Sequence, residues 1–189
     1  MKHFSSWMVI MLLVTRLLAN NDWDNKRMES PQPEIVVYVF MGEDCVISQG
    51  YTPLLNELHK TYKKDFTLFG VFPQPYSKKE KIDAFVKKYG IQFDCTIDRS
   101  QYLTNKFGVK MTPEVVVFDS YNREVIYQGR IDNTYVRVGQ RRRVTTSHEL
   151  KTVLAALKAK ENTNQENTAA IGCFITPQDY KFGKLPMCH

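Results

Sequence analysis

The first half of the folded chain alternates between continuous apolar runs and stretches in which apolar residues recur every three or four positions. The runs at 35–40 and 66–72 are rich in β-branched and aromatic residues, which is typical of strands buried on both faces. The stretches at 46–63 and 78–89 have the apolar spacing of amphipathic helices, and Gly90 is a typical helix end. The pattern therefore predicts strand, helix, strand, helix.

The second half predicts a different arrangement. Its next elements are expected at 91–97 (extended), 101–107 (short helix), 115–118 and 124–128 (strands). The two strands flank a short turn and should form an antiparallel hairpin, and a helix over 147–160 with Ser147 as its N-cap ends the pattern. We therefore expect an α/β domain over residues 34–160, with the order βαβ followed by ββα, a central mixed sheet and helices on both faces.

The first nineteen residues resemble a secretory signal peptide. Lys2 and His3 give a short basic start, the apolar run 7–14 follows, and Ala19 is a small residue at a plausible cleavage point. The apolar run is far shorter than the roughly 20 residues that cross a bilayer. We expect an exported protein, periplasmic or extracellular, with no stable membrane insertion after cleavage. Arg16, late in the leader, leaves an uncleaved amphipathic anchor as the alternative.

Two segments flank the predicted domain. Residues 20–33 are polar, contain prolines and have no periodicity, which predicts a flexible arm. Residues 161–170 are mostly Asn, Thr, Gln and Glu and are interpreted as a polar tether. Beyond the tether, a small apolar island at 171–175 contains Cys173. The C-terminal tail, residues 161–189, thus carries a cysteine away from the domain.

The charge of the chain argues against a nucleic-acid partner. There are 26 Lys and Arg against 20 Asp and Glu, and removing the leader takes away Lys2 and Arg16 and leaves a net charge of +4. The only dense basic run, 141–143, has no interleaved aromatic platform on which bases could stack. We interpret that run as a solvated face.

Cys45 is the first candidate for chemistry. It follows the first strand and opens the first helix at an expected exposed turn, where free backbone N–H groups and the helix dipole favour a thiolate. Ser48 lies on the same turn and can support that charge, whereas Glu43 and Asp44 oppose it, so the sequence leaves the net sign open. The alternative is a buried, inert core thiol.

Thr112-Pro113 is the second candidate, because it stands immediately before the strand at 115–118. A proline there cannot donate to the sheet, and a cis peptide bond would expose the backbone of Thr112 to a visiting extended chain. Taken alone, the pair fits an ordinary turn proline better, since cis bonds are a small minority of X-Pro bonds.

The βαβ–ββα order, the cysteine at the first strand-to-helix turn and the Thr-Pro pair before a later strand together resemble the thioredoxin fold over residues 34–160. A narrower resemblance is to a bacterial group of redoxin-domain, peroxiredoxin-like proteins of the alkyl hydroperoxide reductase and thiol-specific antioxidant superfamily. It rests on the motifs 43–48, 112–115, 129–132, 141–143 and 172–173. The resemblance implies thiol–disulfide or antioxidant chemistry centred on Cys45, with Pro113 as a cis-proline beside it and thiol- or disulfide-bearing proteins as substrates or redox partners.

The chain departs from both patterns. Thioredoxins carry Cys-x-x-Cys, but the second position here is Ser48, so the first helix has no resolving thiol. Peroxiredoxins carry Pro-x-x-x-Thr-x-x-Cys, and residues 40–45 contain neither that Pro nor that Thr, so efficient peroxidase activity is not expected. Arg130 is a candidate positive charge near the sulfur; its alternative is an exposed arginine after a hairpin.

The remaining cysteines decide where a resolving thiol could come from. A ten-residue tether reaches about 34 Å when extended, so Cys173 can reach Cys45, and its apolar neighbours give it something to dock with. The alternative is a free tail thiol. Cys95 is interpreted as a half-buried strand residue, and Cys188 with His189 supplies too few ligands for a metal site. No metal and no cofactor is expected.

These observations predict an exported thiol–disulfide oxidoreductase or antioxidant protein. Cys45 would attack, Ser48 would support its thiolate, Cys173 would resolve it, and Thr112, Pro113 and Arg130 would contact the substrate. The alternative is a non-catalytic thioredoxin-fold binding module in which Cys45 and Cys173 form a structural disulfide. The oligomeric state is left open.

Overall fold

The computed structural model describes residues 35–179. The predicted leader at 1–19, the arm at 20–33 and Cys188 with His189 lie outside the described residues. Within the described range, no helix combines the length and the apolar character that crossing a bilayer requires.

Thirteen elements follow one another along residues 35–179. In chain order they are β1 (Ile35–Phe40), α1 (Val46–Tyr62), β2 (Thr67–Phe72), α2 (Lys79–Tyr89), β3 (Asp94–Ile97), α3 (Tyr102–Phe107), β4 (Met111–Thr112), β5 (Glu114–Asp119), β6 (Glu124–Gly129), β7 (Tyr135–Arg137), β8 (Gln140–Arg141), α4 (Glu149–Lys158) and β9 (Cys173–Phe174). The central sheet has the order β3-β2-β1-β5-β6. β1, β2 and β3 are parallel, while β5 and β6 run antiparallel, so the sheet is mixed.

Successive residues of the central strands face opposite sides of the sheet, as strand geometry requires. On one side, Val37 and Val39 of β1 join a core to which α1, α2 and α4 contribute. On the other side, Phe40 and Val116 join a smaller core that includes Phe107 of α3. Helices therefore cover both faces, and the predicted α/β thioredoxin-like architecture is confirmed.

The predicted helices and strands end within about three residues of the observed ones. Two differences concern the start of α4 and a hairpin. α4 is capped at His148 rather than at the expected Ser147, with no side-chain capping bond. The hairpin of β7 and β8 was not predicted; it carries Arg141, which is exposed and lies over the Tyr135 ring.

Pro53 lies inside α1 without ending it. A proline cannot donate to the carbonyl four residues earlier, which is that of Gln49. The Thr52 hydroxyl donates to this carbonyl instead, at 2.8 Å. The neighbouring threonine thus supplies the hydrogen bond that the proline removes.

The sheet brings distant loops to one edge. Because β1, β2 and β3 are parallel, the segments that follow them all leave from the same edge of the sheet. β5 is antiparallel to β1 and pairs Glu114 with Phe40, so Pro113 enters at that edge as well. The edge therefore collects Cys45, Pro113 and the loops after β2 and β3.

Candidate active site

Cys45 is the N-cap residue of α1, as the sequence predicted. Its N–H donates to the Gly42 carbonyl at 3.1 Å, and its own carbonyl accepts from the Gln49 N–H at 3.0 Å. The expected exposed turn is not observed: Cys45 is only 2% exposed and belongs to the larger core. The physical reason is that the core, the Thr112 carbonyl and Cys173 of the C-terminal tail all lie against it.

The Thr112–Pro113 peptide bond is cis, as the resemblance implied. It directs the Thr112 carbonyl toward the sulfur, and the Cys45 thiol donates to that carbonyl at 3.0 Å. Thr112 itself is fully buried. The first helix and the loop before β5 thus meet at a single sulfur atom.

The tail forms an additional strand beside this loop. β9 pairs antiparallel with β4, with Cys173 opposite Thr112 and Phe174 opposite Met111. The Cys173 thiol donates to Cys45 Sγ, with the two sulfurs 2.7 Å apart. A disulfide bond is about 2.05 Å long, so bonding requires the sulfurs to approach by less than about 1 Å.

The electrostatics of the two thiols differ. Burial raises the pKa of Cys45, but hydrogen bonding from the Cys173 thiol, from the N–H and hydroxyl of Ser48 and from the N–H of Ile47 outweighs burial, and the pKa is lowered from its usual value. Burial and the neighbouring Cys45 raise the pKa of Cys173. Cys45 is therefore the thiol that ionises first, and Cys173 is the one that keeps its proton.

Ser48 is fully buried next to this pair. Its hydroxyl oxygen accepts from the Gly42 N–H at 3.1 Å, which leaves its proton free to point at the sulfur. Glu43 is turned away: its carboxylate accepts from the Ser77 hydroxyl at 2.8 and 2.9 Å. Ser48 thus lies within hydrogen-bonding reach of the Cys45 sulfur.

The tether is fastened to the body of the protein before it reaches the site. Thr168 N–H donates to the Gln128 carbonyl at 3.1 Å, and Arg130 N–H donates to the Thr168 hydroxyl at 3.1 Å. A side chain at Gly129 would collide with Thr168. The segment therefore crosses the end of β6 along a defined path and delivers Cys173 to Thr112.

The side chain of Arg130 is engaged elsewhere. Its guanidinium binds the buried carboxylate of Glu149 in α4, with Nε donating at 2.7 Å. Burial raises the pKa of Glu149, but hydrogen bonds from Arg130, from Ser147 and from its own backbone, with the charge of Arg130, together outweigh burial and lower the pKa. The structure brings together Cys45, Ser48, Thr112, Pro113 and Cys173, and it places Arg130 in an ion pair instead.

Cys95 lies half-buried on β3, the environment that the sequence suggested. Burial, with a contribution from Asp94, raises its pKa to about 11. Among residues 35–179, no group of three or more His, Cys, Asp and Glu side chains is placed to share a metal ion.

Two residues that the sequence reasoning missed lie at the same edge. Gln74 follows β2 and Gln101 follows β3, and their amides bind the backbone of the tail. The available signal was topological: the polar residues that follow parallel strands gather at one edge of a sheet. Neither glutamine belongs to a recognisable motif.

Comparisons with known proteins address the fold. Residues 33–125 match the profile of a thioredoxin-like family. No curated protein matches the chain significantly. A hypothetical protein from Sinorhizobium meliloti 1021 is 23% identical, with a TM-score of 0.64, over 76% of this chain and 79% of its own.

Two further solved structures are similar to the chain. An uncharacterised conserved protein from Geobacillus kaustophilus is 19% identical, with a TM-score of 0.68, over 79% of this chain and 80% of its own. A putative thiol:disulfide interchange protein DsbE from Chlorobium tepidum is 23% identical, with a TM-score of 0.45, over 51% of this chain and 67% of its own. The described chain has a thioredoxin-like fold, with a mixed central sheet and flanking helices.

Proposed function

We propose that this protein is an exported thiol–disulfide oxidoreductase in which Cys45 attacks and Cys173 resolves. The observation that carries the proposal is the 2.7 Å separation of the two sulfurs, at a site where the Cys45 pKa is lowered and the Cys173 pKa is raised. A cysteine pair with one activated thiol and one protonated neighbour suits two successive exchange steps.

The electrons balance in the direction of substrate reduction. The Cys45 thiolate attacks a substrate disulfide, forming a mixed disulfide and releasing one substrate thiolate, which takes a proton from water. Cys173 then loses its proton and attacks Cys45 Sγ, which releases the second substrate thiolate and leaves a Cys45–Cys173 disulfide. Two electrons have passed to the substrate, and a dithiol reductant restores the chain.

The roles of the other residues follow from their contacts. Ser48 and the N-terminus of α1 stabilise the Cys45 thiolate, and the backbone of Thr112 and Pro113 carries the strand that approaches the sulfur. The proposal includes the narrower resemblance to peroxiredoxin-like proteins in one sense only. The protein would act as an antioxidant by reducing protein disulfides and not by turning over peroxides. Arg130 contributes to substrate binding only indirectly, through the tether that its backbone holds.

The test compares single-cysteine variants of the full chain. Peptide mapping without reduction should recover a Cys45–Cys173 bridge from oxidised protein. Cys45→Ser should reduce the rate of protein-disulfide reduction to the uncatalysed level, and Cys173→Ser should accumulate mixed disulfides on Cys45. Cys95→Ser is the matched control and should behave as the parent, because the Cys95 thiol lies on β3 and donates to the Phe93 carbonyl. Full activity in Cys45→Ser would contradict the proposal.

Export belongs to the same proposal and is tested separately. The mature N-terminus should lie near Asn20, and the protein should be recovered outside the cytoplasm. Intact Met1 or Lys2 on protein retained in the cytoplasmic fraction would contradict export without affecting the chemistry.

A binding module with a structural disulfide remains the second candidate, favoured by the burial of Cys45 beneath the tail. The reduction potential separates the two functions. Structural disulfides lie below about −300 mV, whereas catalytic ones lie above it. A potential below that value, with no exchange at Cys45, would favour the binding module.

A further inference from the structure

The tail strand, residues 172–178, is held by two buried glutamines that come from different loops. Gln74 is 5% exposed and Gln101 is 4% exposed. Gln101 has a φ of 53°, a left-handed conformation that residues other than glycine rarely adopt. Both side chains therefore occupy defined positions at the edge where Cys45 lies.

Each glutamine amide makes two complementary hydrogen bonds with the backbone of the tail strand. Gln74 Nε2 donates to the Phe174 carbonyl at 3.0 Å, and its Oε1 accepts from the Thr176 N–H at 3.1 Å. Gln101 Nε2 donates to the Thr176 carbonyl at 2.7 Å, and its Oε1 accepts from the Gln178 N–H at 3.0 Å. Together they bind alternate residues of one extended chain.

The hydrogen bonds of the tail strand to β4 and to the two glutamines are made by its backbone, while its partly buried residues Cys173 and Ile175 also pack against the two cores. The Phe174 side chain is 79% exposed, although the backbone on either side of it is bound. The Ile175 N–H donates to the Lys110 carbonyl at 3.0 Å and continues the pairing with β4. Backbone recognition of this kind accepts many sequences in the same extended conformation.

One position is restricted by sterics. A Cβ atom added to Gly172 would overlap the carbonyl of Thr112, a backbone atom that cannot move aside cheaply. The residue before the cysteine must therefore be glycine if the strand is to pair with β4.

We propose that β4, Gln74 and Gln101 form a binding site for an extended polypeptide segment containing Gly-Cys, and that this segment and the tail strand occupy the site in turn. The bound cysteine takes the place of Cys173 opposite Thr112. This inference rests on the proposed function for its biological purpose, because the site delivers the bound cysteine to Cys45.

The tail strand defines which segments fit. With the cysteine as position 0, glycine is required at −1, and free N–H groups are required at +2, +3 and +5, the positions of Ile175, Thr176 and Gln178. Proline is excluded at those three positions. It is allowed at +4, where the tail itself carries Pro177.

The test uses the full-length Gly172→Ala chain, in which the tail strand should leave the site. The probe is a labelled peptide with the sequence of residues 170–179 and serine at the position of Cys173, so that its binding requires no redox step. Saturable binding by fluorescence anisotropy is expected. N-methylation of the peptide at +3 or +5, and separately Gln74→Ala or Gln101→Ala, should weaken binding about tenfold, because each removes one or two hydrogen bonds.

Peptide modifications keep the test decisive if a glutamine variant misfolds. Alanine in place of glycine at −1 should abolish binding, and alanine in place of proline at +4 should change affinity by no more than about twofold. N-methylation at +3 removes the N–H that donates to Gln74, so Gln74→Ala should weaken binding of the methylated peptide less than it weakens binding of the parent peptide. The effect of Gln101→Ala should be the same for both peptides.

The outcomes separate this inference from the proposed function. Absence of saturable binding, or binding that is indifferent to N-methylation and to glycine at −1, overturns the site even if Cys45 still exchanges disulfides. Suppose that binding shows the expected dependence but that reduced Cys45 does not attack the cysteine form of the peptide when its sulfur is joined in a disulfide to a small thiol. That result supports the site and overturns the oxidoreductase.

Discussion

The two sulfurs of the site are positioned by regions that are held in place by different forces. Cys45 stands at the start of α1, whose inner side is buried through Ile47, Leu55 and Leu58. Cys173 stands in the tail strand, which is attached by hydrogen bonds from Gln74, Gln101 and β4. One thiol belongs to the core. The other is brought to it by hydrogen bonds together with the packing of the partly buried Ile171 and Ile175.

The difference has a functional consequence. Burying a large apolar side chain stabilises a fold by about 1.5–3 kcal/mol, whereas a backbone hydrogen bond contributes about 1 kcal/mol net because water replaces it on detachment. The start of α1 is therefore a fixed platform, whereas the tail strand is held by contacts that are individually weak and that water can replace one at a time. Two-step exchange requires this combination. Cys45 Sγ first bonds to a sulfur of the substrate and is then attacked by Cys173, so the substrate and Cys173 reach the same sulfur one after the other.

The largest expected effect tests whether core packing holds α1 in place. Leu55→Ala should lower the free energy of unfolding by about 3 kcal/mol, because Leu55 is fully buried and its truncation leaves a cavity. Urea denaturation measures the change. Val46→Ala on the same helix is the control and should change stability by less than about 0.5 kcal/mol, since Val46 is 57% exposed. Equal losses in both would mean that the core does not anchor α1.

The second prediction concerns the ion pair beneath the tether. Arg130→Ala should cost about 2–3 kcal/mol at neutral pH, because it leaves the Glu149 carboxylate buried without its partner. Lys158→Ala breaks the more exposed pair with Asp65 and should cost less than about 1 kcal/mol.

The pH dependence of the same variant has a definite sign. The folded-state pKa of Glu149 is lowered, so its contribution is complete above the unfolded value of about 4.3 and is lost as the pH falls through the lower folded value. The stability difference between the parent and Arg130→Ala should therefore shrink in acid. A difference that grew with falling pH would contradict the assigned pairing.

The third prediction detaches the tail. Gly172→Ala should raise the alkylation rate of reduced Cys45 by about tenfold or more, because the added methyl overlaps the Thr112 carbonyl and uncovers the sulfur. Mass spectrometry of alkylated peptides measures it. Global stability should change far less than in Leu55→Ala, and an unchanged alkylation rate would show that the tail does not cover Cys45.

The fourth prediction compares thiols that differ in their surroundings. In the Gly172→Ala chain, alkylation of Cys45 should rise at a lower pH than alkylation of Cys95, whose pKa is raised to about 11. Ser48→Ala should move the Cys45 profile to higher pH, since it removes a hydroxyl that lowers the pKa. The Cys95 profile is the internal control and should not move.

The smallest expected effect is that of Phe174→Ala. Its side chain is 79% exposed while its carbonyl is bound by Gln74, so docking of the tail should change by less than about 0.5 kcal/mol. The alkylation rate of Cys45 in the reduced chain reports it. A rate as high as that of Gly172→Ala would show that side-chain packing, and not the backbone, holds the tail.

The sequence by itself determined much of the fold. The apolar runs at β1 and β2 and the helical spacing of α1 and α2 predicted those elements closely, because periodicity reflects which face is buried. The place of Cys45 at the start of α1 followed from the same pattern. The β7–β8 hairpin was not predicted, because its strands are only three and two residues long and its valines, Val136 and Val138, are exposed, so its apolar residues do not mark a buried face.

Tertiary structure alone decided how the site is assembled. Tether length allowed Cys173 to reach Cys45, but reach does not select a partner, and the pairing of β9 with β4 depends on backbone groups that every residue possesses. For the same reason Gln74 and Gln101 had no signature: their neighbours in sequence differ, and only the parallel order of β2 and β3 places them side by side. The lowered pKa of Cys45 likewise depends on the burial of its sulfur and on hydrogen bonds from Cys173, Ser48 and Ile47. Burial and hydrogen bonds act over a few ångströms in space and leave no pattern of spacing in the chain.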